Sequence, residues 1–594
     1  MSGNAEEHAT GDVIAATVPE EATEPRGQVV AADLKDEEHG SYSLSDDGDY
    51  PAPTEEEKKT LRRVPENLPL VSYALCLVEF AERASYYGAQ TVFSNFIEFP
   101  LPKGGNGAGS PPRGSEETAG ALGMGLQASQ GLVLLFQFLA YVVPIFGGWL
   151  ADVKTGRYKA IVIGVLICGI AHIIMIFGAL PSVLQAGPSH SAPPFIISLL
   201  VLALGAGIFK PNIAPTVLDQ NRHQKEYTKV LKSGEKVIVD PEATATRTML
   251  IFYAMVNVGA FYAVATAYSE RYVGYWLAFL LAGIIYFLLP ILLFAVYKRT
   301  YKTPPTGSEL TQAVKIISVA LRRNHFRFWK KNFWDAAKPS VLAAEGWNHI
   351  NVDWDDKLVD DVRRTVAASS IFLYFPIWNL NDGGIGSAAT NQAAAMTTKG
   401  APNDLLSNFN PLTIIVTVPI LSYVVYPLLN RYKIKFGRIS RITFGFILAT
   451  ISDFPCGYYA STCDGVSPLS VWWQIPNFSL GAISECFCNV TAYELAYARS
   501  PKSMKGLVMA IFLFMTALSS ALGEILVPVT QDPWLIWIWA APAIALAVQT
   551  VIFWFRYKHL NDDEYMTYEE DYPKLEEVQQ SSAIAGEKEK EVSS

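Results

Sequence analysis

The 594-residue chain has little charge for its length. Charged residues make up 17% of it, compared with about a quarter of a typical soluble domain, whereas half of its residues are hydrophobic and 12% are aromatic. Much of the acid behind the net charge of −9 lies near the two ends, and the basic residues gather between apolar segments. The scarcity of charge excludes an ordinary soluble domain and predicts a membrane protein with many spans.

The chain is also poor in cysteine. Its six cysteines are scattered across apolar segments, which excludes a disulfide scaffold and a zinc site. A disulfide stays open for one pair, Cys456 and Cys463, near a loop on the outer side. The sequence shows no nucleophile–base pair, metal-ligand cluster or phosphate-binding loop, so we expect neither an enzyme nor a bound cofactor.

Neither end of the chain carries a recognisable targeting signal. No basic and apolar segment of the signal-peptide type follows Met1, and no lipidation motif occurs at the other end. Residues 1–62 and 557–594 are polar and acidic, a composition that predicts two disordered tails. The first membrane span would then direct insertion.

Apolar stretches long enough to cross a bilayer recur along the chain. We count about twelve stretches of the required ~20 residues. They predict membrane spans at 68–97, 126–151, 158–180, 193–218, 246–268, 274–297, 364–393, 412–431, 441–461, 470–497, 506–528 and 534–555. Lysine and arginine concentrate in the loops that follow even-numbered spans, and the positive-inside rule therefore places both termini in the cytoplasm.

A long loop at 298–363 divides the spans into two sets of six. We therefore expect an all-α polytopic membrane protein, with one six-helix bundle at 63–297, a cytoplasmic linker, and a second six-helix bundle at 364–556. Within the linker, residues 308–331 mix regularly spaced apolar residues with arginines and lysines. This pattern predicts an amphipathic helix, either on the inner leaflet or in solvent.

Three charged residues interrupt the first span: Glu79, Glu82 and Arg83. A charge in the middle of a bilayer costs roughly 2.5–3.5 kcal/mol, so we expect these side chains to face water or a substrate. With Tyr86 and Tyr87 they follow the spacing of one helix face. One proton neutralises the net charge of the face, which suits a proton relay. The alternative is a Glu–Arg pair that only holds helices together.

Charges inside the later spans differ in sign between the two halves. Lys210 is the basic residue of the fourth span, whereas Asp382, Glu485 and Glu494 are acids of the seventh and tenth spans. Arg83 and Lys210 could therefore hold a carboxylate, and Asp382 and Glu485 an ammonium group. A zwitterionic ligand between the halves would satisfy both sides. Taken singly, each charge could instead belong to an interhelical ion pair.

Aromatic and amide side chains with polar groups are available to line such a site. They are Tyr86, Tyr87, Tyr141, Asn257 and Trp378. Core packing is the alternative for any single aromatic. A tight inner turn between the second and third spans carries Asp152 and Arg157. We expect these two to form a latch, paired in one conformation and separated in another.

These residues resemble the motifs of proton-coupled oligopeptide transporters. Glu79, Glu82 and Arg83 match the E-x-x-E-R motif of that family. The further matches, in order from about residue 65 to 525, are Tyr141–Asp152, Phe209-Lys210-Pro211-Asn212, Phe252-Tyr253 with Asn257 and Gly259, Trp378 with Asp382, Glu485, and Glu494–Lys505. The acidic tails and an insert at 232–240 resemble those of fungal members.

The resemblance implies a major facilitator fold of two six-helix bundles around a central site with alternating access. It implies proton-driven import of dipeptides and tripeptides across the plasma membrane, with the proton as coupling ion. By position, Arg83 and Lys210 would face the peptide carboxylate and Glu485 the amino group. The pocket would be lined by Tyr86, Tyr87, Tyr141, Asn257 and Trp378. Glu79, Glu82 and Asp382, with Arg83, would serve proton coupling and gating. We expect a monomer in the lipid bilayer that binds no nucleic acid.

Some positions depart from the family pattern. Ala84 stands where the family usually has phenylalanine, and Leu134 stands where animal members have a proton-linked histidine. Coupling should therefore rest on carboxylates. Two other functions stay open on the same fold: a carrier of nitrate or another small anion, which Glu485 disfavours, and a peptide sensor that signals through its tails.

Overall fold

The computed structural model describes residues 51–561, apart from 222, 224, 306, 308, 331, 346–351, 382–384, 386–387, 433–435, 461–466, 500, 502–503 and 532–533. Within them the chain is mostly helical, with two small sheets. One large hydrophobic core draws on residues between Val71 and Leu293, and another on residues between Ile371 and Phe553. Each half of the chain thus buries its own apolar surface.

The helices of the first half follow the six predicted spans. They are α1 Glu55–Thr60, α2 Leu70–Thr91, α3 Phe93–Glu98, α4 Leu126–Leu150, α5 Arg157–Gly178, α6 Pro181–Gln185, α7 Pro188–Leu218, α8 Pro241–Ala260, α9 Tyr262–Tyr272, α10 Tyr275–Tyr286 and α11 Leu288–Val296. α4 continues as a π-helical turn, Ala151–Thr155. Gly156 ends that turn because its φ of 76° is readily available to glycine.

The second half contains more interruptions. Its helices, with those of the linker, are α12 Glu309–Arg323, α13 Pro339–Ala344, α14 Asp356–Ala368, α15 Phe375–Asn381, α16 Ala388–Ala394, α17 Phe409–Ile420, α18 Tyr426–Arg431, α19 Arg438–Ala460, α20 Ile475–Arg499, α21 Lys505–Leu526 and α22 Trp537–Tyr557. The span predicted at 364–393, which is long enough for a tilt or a kink, is not one continuous helix. α14 gives way to a 3₁₀ segment, Ser369–Tyr374, and Pro376 has no N–H with which to continue the α-helical hydrogen bonds.

Seven of the described helices are long and apolar enough to cross a membrane by length and composition. The first predicted span falls short of this test because of its three charges, and the seventh falls short because it is broken. A chain with this many apolar helices is a multi-pass membrane protein.

A small sheet ties the N-terminal segment to the loop between the fourth and fifth spans. Its strand order is β1 Arg63–Val64, β3 Lys236–Val239 and β2 Tyr227–Val230, with β1 parallel to β3. A second pair, β4 Met396–Thr397 and β5 Ser467–Ser470, lies in the other half. Ahead of β1, Thr54 and Glu57 form a capping box on α1. Order therefore begins before residue 62, so the predicted N-terminal tail is too long.

The linker helix packs on protein. The apolar side of α12 buries Ala313, Ile316 and Ala320 in a core with Val359 of α14 and Met504 beside α21. The helix ends at Arg323, and the chain then turns through two residues of positive φ. The predicted amphipathic helix is present. Its apolar side packs against other parts of the protein, not on the membrane surface and not in solvent.

The two halves meet at the end of the bundle opposite the linker, which we call the distal end. Asn95, in α3, and Asn403 exchange side-chain hydrogen bonds of 2.8 and 2.9 Å. The Tyr272 hydroxyl, at the end of α9, donates to the Gly400 carbonyl at 2.8 Å. These bonds hold the first half against the segment that precedes α17.

Candidate functional site

Arg83 lies between two acids of its own helix. Its Nε is 3.2 Å from Glu79 Oε1, and its guanidinium also contacts the Glu82 carboxylate. Each of the three residues is at most 5% exposed. Buried charges are tolerated when opposite charges and hydrogen bonds accompany them. In this state Arg83 is paired with its own acids, the pairing that the sequence left open as an alternative. Arg83 Nη2 and Glu79 Oε2 are nevertheless buried without a hydrogen-bond partner among the described residues.

Two tyrosines one turn further along α2 flank this ion cluster. The Arg83 guanidinium carbon is 5.0 Å from the Tyr86 ring centre and 5.7 Å from the Tyr87 ring centre. The two rings meet edge to face at 5.5 Å. Residues three and four positions apart share a helix face, so the sequence places both rings beside the cation. Such contacts contribute roughly 0.5–2 kcal/mol each.

Lys210 brings a second cation to the same place from α7. Its Nζ is 4.1 Å from the Tyr86 ring centre, and it is close enough to Glu79 and Glu82 for electrostatic attraction. Tyr141 of α4 lies close enough to Tyr86 to act on it electrostatically. Three helices of the first half thus bring together the residues predicted to face a carboxylate.

Asn257 lies on α8, which packs closely against α2. Its amide donates to the Tyr253 carbonyl at 2.8 Å, and the residue is 7% exposed. A Cβ added at Gly259 would lie 2.8 Å from the Phe80 carbonyl and 3.1 Å from the Ala84 nitrogen. The two helices therefore touch along their backbones. Ala84 is fully buried, so the structure leaves no room there for phenylalanine.

Glu485 is the acid that the second half presents to this group. It lies on α20, is partly exposed, and accepts a hydrogen bond from Asn489 at 3.3 Å. It is close enough to Tyr87 and Tyr253 to act on both electrostatically. A carboxylate of one half thus lies near tyrosines of the other half, which themselves flank Arg83. The sequence analysis missed the role of Asn489, although its place one turn after Glu485 was the available signal.

One predicted site residue, Trp378, is not part of this group in the observed state. Trp378 is 1% exposed; its Nε1 donates to Ser484 Oγ at 3.0 Å, and its ring packs 5.4 Å from that of Phe375. It belongs to the core of the second half, which was the alternative for any single aromatic. Asp382 lies outside the described residues, as do the side chain of Glu494 and the Cys456–Cys463 pair.

Leu134 packs in an apolar cluster between the halves, where animal relatives carry a histidine. It joins Leu380, Ile385 and Trp539 of the second half. A Cβ at Gly523 would be only 3.0 Å from a Leu134 methyl group. The position is therefore closely packed.

The predicted latch, Asp152 and Arg157, includes a third charged residue, Asp219. Arg157 lies 3.7 Å from Asp152 and 3.0 Å from Asp219, which ends α7. Asp219 also accepts a hydrogen bond from the Thr303 hydroxyl at 2.5 Å. The charges are thus paired in this conformation and tie three segments of the first half together. The sequence analysis missed Asp219, and its charge at the inner end of a predicted span was the only signal.

The chain is similar to known transporters over most of its length. The model of the POT family, PTR2, matches residues 158–557. The curated MFS-type transporter ucsM from an Acremonium species is 59% identical over 528 residues, which cover 87% of this chain and 88% of that protein. Peptide transporter PTR2 of Candida albicans is 43% identical over 515 residues, which cover 83% of this chain and 82% of that protein.

Solved structures give the same fold. The crystal structure of the POT family transporter PepTSo superposes with a TM-score of 0.63 at 21% identity, and the match covers 84% of this chain and 100% of that one. The architecture is the predicted all-α major facilitator fold, and it is consistent with about twelve membrane-spanning helices in two bundles. Family model, relatives and fold agree, and the chain belongs to the POT family.

Proposed function

We propose that this protein is a proton-coupled symporter that imports dipeptides and tripeptides across the plasma membrane by alternating access. One observation carries the proposal: the first half presents Arg83 and Lys210 around Tyr86, and the second half presents Glu485 near Tyr87. A peptide with free ends carries one charge of each sign. The name of the Candida albicans relative, a peptide transporter, supports the same substrate class.

The ion cluster on α2 supplies the coupling. In the observed state the carboxylates of Glu79 and Glu82 hold Arg83. A proton on either acid removes one attraction, and the guanidinium then becomes available to the peptide carboxylate. Each proton that moves inward also gains about 2.3 kcal/mol per 100 mV of membrane potential. Proton binding and peptide binding thus favour the same arrangement of the bundles.

The other parts of the proposal concern the pocket, the gate and the state of the protein in the membrane. Tyr86, Tyr87, Tyr141 and Asn257 line the peptide pocket, and Asp382 takes part in gating. The protein works as a monomer with both termini in the cytoplasm, and it performs transport without catalysing a covalent step. The proton is the only coupling ion.

Uptake into proteoliposomes tests the function directly. A labelled dipeptide should accumulate above its outside concentration when the outside is more acidic than the lumen, and only equilibrate without the gradient. Unlabelled tripeptides should compete, whereas nitrate should not. Accumulation of labelled nitrate, or peptide binding without any uptake, would replace the proposal with an anion carrier or with a sensor.

A further inference from the structure

Two carboxyl groups from different halves meet inside the distal end. Glu270 lies near the end of α9, and Asp404 lies in a 3₁₀ turn, Asn403–Asn408, that leads into α17. They are 1% and 0% exposed. A single amide nitrogen, Asn95 Nδ2, donates to Glu270 Oε1 at 3.0 Å and to Asp404 Oδ2 at 2.9 Å. The same nitrogen also donates to Asn403 Oδ1 at 2.8 Å, so its two hydrogens are divided among three acceptors. The two acids therefore share one donor nitrogen across the interface between the halves.

Their other oxygens have no donor among the described residues. Glu270 Oε2 and Asp404 Oδ1 are buried without a hydrogen-bond partner, and the shared contact with Asn95 Nδ2 brings the two carboxyl groups close together. Two carboxylates cannot bond to each other, because both only accept. A proton on one of them supplies the missing donor and removes the repulsion between two buried anions.

No cation among the described residues forms an ion pair with these acids. Arg271 follows Glu270 in the chain and is close enough to attract it electrostatically, but its guanidinium donates to the carbonyls of Ser115 and Glu117. The Tyr275 hydroxyl on α10 is buried without a hydrogen-bond partner and lies within electrostatic range of both acids. Glu98 is close enough to add further negative potential at Asp404. A mobile proton is thus the positive charge that fits the pocket.

We propose that Glu270 and Asp404 form a second proton-binding site, distinct from the Glu79–Glu82 cluster, and that one shared proton holds the distal end closed. The inference deepens the proposed function, on which its place in the transport cycle rests. In the predicted orientation the distal end faces the outside, where the protons enter. Closure then depends on outside acidity, and loss of the shared proton leaves two like charges that separate the halves.

A distance measurement at the distal end tests this site without any peptide. Spin labels are placed at K103C and Q531C, which are exposed positions in different halves, in a cysteine-free background reconstituted in lipid. As the pH falls from about 8 to about 5, the range in which perturbed carboxyl groups exchange protons, the population with the short distance should rise. E270Q and D404N should each hold the short distance at every pH, because an amide supplies the donor permanently.

E524Q is the matched control, since Glu524 is an exposed carboxyl group on the neighbouring part of α21. It should keep the pH dependence of the parent. A parent protein whose distances do not change with pH would overturn the site even if neither amide variant folds. So would pH dependence in E270Q and D404N equal to that of the parent. Because no peptide is present, failure here leaves proton-driven peptide uptake intact, and failure of peptide uptake leaves this result intact.

Discussion

At the scale of single residues, Arg83 is the side chain on which the proposed mechanism depends. Its place on a polar face with Glu79, Glu82 and the tyrosines could be predicted, because helical spacing is a local property. Its partner in this state could not, since spacing alone does not separate an arginine that awaits a substrate from one held by its own acids. Trp378 packs in the core of the second half in this state, and the sequence could not decide between core and pocket, because an aromatic side chain in an apolar span carries no signal of the direction in which it points.

Glu485 should govern recognition of the peptide amino group. We expect Glu485→Gln to weaken uptake of a free dipeptide roughly tenfold or more, because a hydrogen bond to a charged group contributes about 1.5–3 kcal/mol. Uptake of the same dipeptide with an acetylated amino group should change little. Competition assays in proteoliposomes measure both, with Glu524→Gln as a control. An equal loss for the two ligands would contradict the assigned role.

Trp378 should matter for stability and little for substrate affinity. Trp378→Phe removes the indole donor to Ser484 and leaves a gap in the core of the second half. We expect a loss of about 1–3 kcal/mol in the free energy of unfolding, measured by thermal or denaturant unfolding in detergent, with an unchanged KM for dipeptide. A changed KM with unaltered stability would contradict this prediction and would indicate that Trp378 contacts the peptide.

At the scale of helices, the length of apolar stretches predicted where most spans begin and end. It did not predict where a span is interrupted. Uninterrupted spans such as α5 and α19 agree with their predicted bounds to within a few residues. The length of the seventh predicted span allowed a kink, but the positions of the breaks between α14 and α16 could not be predicted, because a window of about 20 residues averages over local backbone geometry. The apolar side of α12 was predicted, but the surface that it covers depends on distant residues such as Met504.

Close helix packing gives a paired test on α4. A Cβ at Gly147 would stand 2.5 Å from the Gly207 carbonyl and 2.8 Å from the Ile208 Cα, whereas a Cβ at Gly148 would meet nothing closer than 3.6 Å. We expect Gly147→Ala to destabilise the protein by about 1–3 kcal/mol and Gly148→Ala to be neutral or slightly stabilising. Thermal unfolding of the two variants should differ clearly, and equal values would show that α4 and α7 are not in backbone contact.

At the scale of the whole molecule, the contacts that close the distal end were invisible in the sequence. Glu270 and Asp404 are far apart in the chain; Glu270 follows the end of a predicted span and Asp404 lies in a predicted loop, and a charge is unremarkable in either place. Only the folded arrangement brings both to one asparagine. The opposition of charge between the halves, by contrast, could be predicted because the two sets of spans carry opposite signs.

Glu116 forms a second contact between the halves at the distal end. Acid should weaken this contact, whereas acid should strengthen the contact between Glu270 and Asp404. Glu116 accepts hydrogen bonds from the Thr398 backbone nitrogen at 2.9 Å, from the Thr398 hydroxyl at 3.0 Å and from the Lys399 backbone nitrogen at 3.2 Å. These donors, the Thr398 backbone above all, hold the pKa of Glu116 below its ordinary value. The contact therefore stabilises closure above the ordinary carboxyl pKa and is lost as the pH falls through the lowered one.

We accordingly expect Glu116→Ala to raise the open population at neutral pH by a small factor, because the side chain is exposed and water screens it. In strong acid the variant and the parent should converge. The spin-label pair at K103C and Q531C measures both populations. A larger difference in strong acid than at neutral pH would contradict the pKa shift and its cause.

The central claim is that a proton on the α2 acids controls whether Arg83 is available to substrate. The most direct test compares two activities of Glu82→Gln in the same proteoliposomes: accumulation of labelled dipeptide driven by a proton gradient, and exchange of labelled for unlabelled dipeptide without a gradient. The variant should exchange peptide and fail to accumulate it, because the amide cannot take up or release the proton. Accumulation equal to that of the parent would contradict the account.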